Sequence, residues 1–270
     1  MGDNSASGSS SSASYTVPAT AGSGWNPTDN YTIEPGGTFN YTGQTVQYTV
    51  PVGVTQLKIE AIGGGTENGA ATWGTGGADV SGTASVTPGE TLTIGVASSG
   101  SVPGKYSGGW GMTYNGNNYS GGDVDEAGDR LSSNPGGGAT VVADSDSGAM
   151  IVVAGGGGGN GLISPSCDQS HKGGNGGEGG SWTGGNGNPY PGGGGQAGAN
   201  TSSQGQASTS ADDCSGGGGG VQGGLAGVDG AGAGGGAGSS AAFGLTGTSI
   251  TSVHNSGNLE NGQVIISAAS

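Results

Sequence analysis

The feature that most limits what this chain can fold into is the stretch from Gly155 to Gly238. It carries 35 of the chain's 70 glycines, with unbroken runs at Gly155–Gly159, Gly192–Gly195 and Gly216–Gly220. Glycine has no side chain to bury and loses more backbone freedom on ordering than any other residue. Such a stretch is therefore either disordered or folded without a side-chain core. Composition narrows the choice. Only 30% of the 270 residues are hydrophobic, which predicts one modest core. Charged residues make up 9%, too few for the highly charged composition that solvates most disordered tracts. Nineteen acidic against four basic residues leave a net charge of -15, which argues against nucleic acid and anionic membranes as partners.

Residues 1–14 read as a flexible Ser-rich leader. Residues 15–37, where Tyr15, Val17, Trp25, Tyr31 and Ile33 stand among Pro18, Pro27 and Pro35, read as an extended docking arm. The start has neither a basic nor an apolar signal region, and no run of 18 apolar residues occurs, so the expectation is no signal peptide and no membrane insertion. Ala6 stands where a myristoylation motif needs Ser or Thr.

From Thr38 to the end, 38–270 reads as one domain with the glycine-rich segment 155–238 inserted in it. Alternating apolar and polar residues predict strands at 44–50, 55–62, 78–86 and 91–97, with turns at Pro51-Val52-Gly53 and Pro88-Gly89. Residues 140–143 and 149–154 flank a polar turn, and 263–267 supplies a last strand. About seven short strands without helical periodicity predict an all-β fold, an antiparallel β-sandwich.

Glycine runs adjoin these strands. Gly63–Gly65 follows the second, Gly136–Gly138 precedes the fifth, Gly155–Gly159 follows the sixth, and the closing strand comes after the last run. Both ends of the insertion are thus pinned to one domain, which favours order. Glycine runs can adopt the extended helix of three residues per turn and pack side by side through backbone hydrogen bonds, here as an inserted bundle of polyglycine II helices.

The order "VQYTVPVGVTQLKIEAIGGG", "SGTASVTPGETLTIGV", "GGGATVV", "GAMIVVAGGGGG", "DDCSGGGGG" and "ENGQVIIS" resembles the glycine-rich domain family over roughly residues 38–268. Members occur in bacterial and phage surface proteins and in the extracellular region of anaplastic lymphoma kinase and its leukocyte relative. The resemblance implies a β-sandwich carrying polyglycine II helices. Similar bundles are found in phage tail-tip adhesins, where loops between glycine runs recognise the host.

Candidate sites follow from residue type. Tyr106, Trp110, Tyr114 and Tyr119 lie among Gly and Asn in the loop 103–122, where flat rings suit sugar stacking or protein contact, or else local packing. Trp182 and Tyr190, between glycine runs, form a second such set. Asp123, Asp125 and Asp129 offer oxygen ligands for calcium, or a solvated acidic loop. Cys167 and Cys214 form a disulfide candidate that would close a 48-residue loop and stabilise by roughly 4 kcal/mol, against two free thiols. No nucleophile elbow, metal motif or phosphate loop is recognisable, so no catalytic residue and no cofactor besides calcium is expected.

The expectation is a non-enzymatic surface structural or adhesion protein, on a virion or extracellular surface. It best suits a bacteriophage tail, fibre or decoration component that acts in assembly or host-surface attachment. Its partners would be copies of itself, other subunits, and a host glycan or protein. The alternative is a secreted bacterial or eukaryotic extracellular binding module. An ice-binding protein is a third reading, which the irregular positions between glycines disfavour.

Overall fold

A computed structural model of the chain describes residues 36–66, 75–100, 107–124, 134–161, 173–177, 180–187, 196–208, 215–227, 234–253 and 261–269. Among them there is no helix. The strands, in chain order, are β1 (Gly37–Asn40), β2 (Val46–Thr49), β3 (Gln56–Ile62), β4 (Ala78–Ser85), β5 (Thr91–Gly95), β6 (Thr113–Tyr114), β7 (Asn117–Asn118), β8 (Thr140–Asp144), β9 (Met150–Ala154), β10 (Ala241–Ala242), β11 (Leu245–Ser252) and β12 (Gln263–Ala268). They form two five-stranded antiparallel sheets, ordered β1-β12-β3-β4-β11 and β10-β9-β8-β5-β2, and the small hairpin β6-β7. The leader and the arm as far as residue 35 lie outside the described residues.

The sheets face each other across one apolar cluster, a β-sandwich-like all-β architecture. Period-two alternation puts Leu57, Ile59 and Ala61 of β3 and Val80 and Ala84 of β4 on the inner face, with Leu57 opposite Ala84 and Ala61 opposite Val80. Leu92, Ile94, Val142, Val152 and Ala154 meet them from the second sheet. The outer face of the first sheet carries Lys58, Glu60, Asp79, Ser81 and Thr83. The second sheet is apolar on both sides, which is why β8 and β9 read as continuous hydrophobic runs. Val141 and Val153 point outward into a separate cluster with Met112, Tyr119 and Ala139. At the edge between the sheets, Phe39 of β1 meets Tyr48 of β2 edge-to-face at 6.0 Å.

The two short turns that look like hairpin turns in the sequence instead carry the chain from one sheet to the other, β2 to β3 and β4 to β5. The true neighbours β3 and β4 are joined through the first glycine segment. Strand β11 escapes a periodicity reading because its ladder with β4 is bulged between Thr246 and Ser249 and Gly247 sits at φ 60°, so the alternation slips.

One polar residue is poorly placed for this fold. Asp79 on β4 keeps Oδ1 buried with no hydrogen-bond partner among the described residues. Burial, and then the negative charge of Glu60, raise its carboxyl pKa above the ordinary 3.8. The folded state then holds the proton more tightly than the unfolded state, so stability falls as pH rises from that value through the folded pKa. Asp79→Asn should therefore melt above the wild type at pH 7 and close to it at pH 3, in thermal unfolding followed by circular dichroism.

Candidate functional site

Beyond the strand ends, side chains give way to glycine and the two sheets stop being separate layers. Gly63, just past β3, donates to Ala78 O at the start of β4 (2.9 Å), and the Ala78 N–H donates across to Gly155 O, just past β9 (2.8 Å). Gly64 N reaches Gly138 O (2.9 Å) and Gly157 N reaches Gly64 O (3.0 Å). Facing sheets stand about 10 Å apart because side chains fill the gap. Where the side chains end, the continuing backbones close to hydrogen-bond distance.

The resulting lattice has a three-residue period. In segment 215–221, Gly216 and Gly219 donate to Asn134 O and Gly137 O of one neighbour. Gly217 and Gly220 donate to Gln206 O and Ser203 O of a second, and Gly218 and Val221 to Gly236 O and Ser239 O of a third. Each direction recurs every third residue. The segment's own carbonyls accept from three other segments: Gly216 O from Gly159 N, Gly217 O from Gly122 N, Gly218 O from Gly224 N and Gly219 O from Gly156 N. Segment 215–221 is thus enclosed by hydrogen-bonded chain. Neighbours run both ways: 134–139 ascends alongside it, whereas 202–208 descends.

Glycine is required here for proximity. None of Gly155–Gly159 or Gly216–Gly220 has positive φ. A Cβ on Gly218 would lie 2.2 Å from Gly156 O, on Gly219 2.2 Å from Tyr119 O, and on Gly238 1.9 Å from Gly219 O. Ordering a residue costs about 1–2 kcal/mol. One net hydrogen bond returns about 1 kcal/mol and a Cα–H···O contact about 0.5–1 kcal/mol, so a lattice of this kind holds only if every amide is used and the chains touch.

Polar side chains complete the lattice where no glycine run is adjacent. Asn175 Oδ1 accepts from Gly76 N (3.1 Å), Asn160 Oδ1 from Gly173 N (2.9 Å) and Ser240 Oγ from Gly155 N (2.9 Å), while Thr75 Oγ1 donates to Gly158 O (2.7 Å). These residues are buried, and sequence reading missed them. An Asn that ends or interrupts a glycine run, as at Asn160 and Asn175, is the signal that could have found them.

The lattice has two unlike ends. Toward the sandwich the segments join strands or make short turns: the β6-β7 hairpin, 180–184, 199–202 and 220–222. At the far end, hydrogen bonds hold the segment tips at one level. Thr66 N donates to Thr75 O, Gly100 N to Gly65 O, Asn134 N to Asn160 O, Gly159 N to Gly216 O, Ser208 N to Asp123 O, Gly227 N to Ser215 O and Gly235 N to Gly159 O. The described segments end and resume at this end, at 66 and 75, 100 and 107, 124 and 134, 161 and 173, 187 and 196, 208 and 215, and 227 and 234.

The candidate residues distribute over this frame. Tyr106, Asp125, Asp129, Cys167, Tyr190 and Cys214 lie outside the described residues. Tyr119 is 5% exposed, with its ring in the outer cluster beside Met112 and Val153, and burial raises its pKa. Tyr114 packs against the same cluster and its hydroxyl donates to Asp144 O (3.1 Å), while the Asn115 amide donates to Gly148 O (2.9 Å). Trp110 is half-buried, its ring 5.9 Å from that of Tyr41. Residues 110–119 thus form a strap over the outer face of the second sheet, between two lattice segments. Trp182, 37% exposed, sits at the sandwich end, where its carbonyl accepts from Ser240 N. The exposed Asp123 uses Oδ1 to accept from Gly108 N (2.7 Å). Among the described residues no three His, Cys, Asp or Glu side chains are grouped to hold a metal.

Gly218→Ala should lower stability by more than about 2 kcal/mol, because backbone must move on both sides of the new methyl. Gly37→Ala, whose Cβ meets only the Phe39 ring at 3.5 Å, should stay within about 1 kcal/mol of wild type, in denaturant unfolding of both variants. In comparisons with known proteins, no family model matches this chain and no curated protein is significantly similar to it.

Proposed function

We propose that the glycine segments form a polyglycine II bundle standing on a sandwich base, and that the protein is a non-enzymatic surface structural or adhesion component. The reading that fits best is a virion part, a tail, fibre or decoration protein, acting in assembly or host-surface attachment.

The observation that carries this is the lattice with its period of three. A three-residue repeat of hydrogen-bond direction, negative φ and tolerance of mixed chain polarity are what packed polyglycine II helices require. Such a body resists proteases because its amides are already bonded and no side chain is offered for cleavage, a property useful on an exposed surface. The polarity of the molecule supports attachment. Strand β1 runs toward the lattice, so residue 36 lies at the opposite pole, while most of the described lattice segments break off at the far end. One pole is then free to anchor the protein and the other to meet a host glycan or protein. The net charge of -15 keeps the surface soluble and suits a cation-rich exterior.

Immunogold electron microscopy of particles or filaments from the native source tests the reading. Antibody against this chain should decorate their outer surface. Antigen confined to the soluble cell fraction would overturn the surface assignment. Fast amide exchange throughout 216–220 would overturn the bundle.

A further inference from the structure

We propose that the open edge of β2 receives residues Tyr15–Pro18 from a second copy of this chain as an added antiparallel strand. The inference rests on the reading of the protein as a component assembled in several copies, which makes a second copy's arm the occupant.

The first ground is a repeat within the chain. Tyr15-Thr16-Val17-Pro18 of the arm has the same sequence as Tyr48-Thr49-Val50-Pro51, the end of β2 and the turn after it. The second is the state of that edge. Among the described residues β2 is the last strand of its sheet. Val50 N donates to Glu90 O on the β5 side, so by alternation the N–H and C=O groups of Gln47 and Thr49 face the open side. The other edges are blunted: β10 has two residues, β11 is bulged, and β1 begins on Gly36–Gly37. Between 45 and 51 there is no charged residue.

Pairing follows from the side-chain period. With Thr16 opposite Thr49, Val17 lies opposite Tyr48 and Tyr15 opposite Val50. These are aromatic and β-branched cross-strand pairs on the face where Tyr48 and Val50 already pack on the core. Thr16 and Thr49 exchange two backbone hydrogen bonds, and Gln47 N–H donates to the Pro18 carbonyl. Pro18 has no N–H to return to the Gln47 carbonyl, so the added ladder ends there. A neutral, backbone-mediated contact also suits chains whose net charge of -15 makes them repel one another.

Sedimentation equilibrium of the full chain and two variants tests the contact. Thr16→Pro removes the arm's donor, and Thr49→Pro removes an edge N–H that the β2–β5 ladder does not use. Each should weaken self-association at least about tenfold. An equimolar mixture of the two should form heterodimers, since one variant keeps the arm and the other the edge. Wild-type association in both variants would remove this contact and leave the multi-copy reading standing. A wild-type chain that stays monomeric at all concentrations would remove both. Slow exchange of the Gln47 and Thr49 amides in dilute monomer, lost in Thr16→Pro, would assign the edge to the chain's own arm and overturn the proposal.

Discussion

The structure depends on the absence of room. At Gly218, Gly219 or Gly238 a single methyl group would fall about 2 Å from a backbone atom of a neighbouring segment, and this closeness is what lets successive amides bond to different neighbours. In an ordinary core, apolar side chains hold backbones apart and are rewarded by leaving water. Here backbone meets backbone, and the reward is the pairing of donors with acceptors in an interior where an unpaired group would be costly. The lattice therefore tolerates no partial occupancy, and buried Asn160, Asn175 and Thr75 stand where a glycine neighbour is missing.

Such a lattice has no side-chain code with which to choose its own register, and the sandwich provides one. Strands in a sheet lie about 4.8 Å apart, and the chain emerging from each strand begins already beside a bonded neighbour. β8 and β9 continue past their ladder into the Gly137 N to Gly157 O bond, as β3 and β4 continue into the Gly63 N to Ala78 O bond. The modest apolar core, Leu57, Ile59, Leu92, Ile94, Val142 and Val152 among it, thus fixes the starting level of the segments next to it. Segments farther out inherit their level through hydrogen bonds.

What the sequence disclosed follows the same division. Alternation, and for β8 and β9 unbroken apolar runs, exposed the seven strands whose inner faces carry Val, Ile and Leu. β11 stayed hidden because Gly247 and a bulge spoil its period, and the pairing of β3 with β4 because their connection looks like a loop. Within the glycine-rich stretch the order of segments was legible but their adjacency was not, since identical residues give no reason for 215–221 to lie beside 134–139. Rings in a glycine context were equally ambiguous by type: Tyr114 and Tyr119 are spent on the outer face of the second sheet, which no local pattern announces.

The three-residue repeat of direction changes what counts as information in this part of the chain. Because Gly216 and Gly219 address one neighbour and Gly217 and Gly220 another, adding one residue to a run turns every later amide toward the wrong segment, whereas adding three returns each to its own. The heritable variable of the lattice is then a length counted in threes, and the body can grow or shrink along its axis by whole turns while the composition of its interior stays the same.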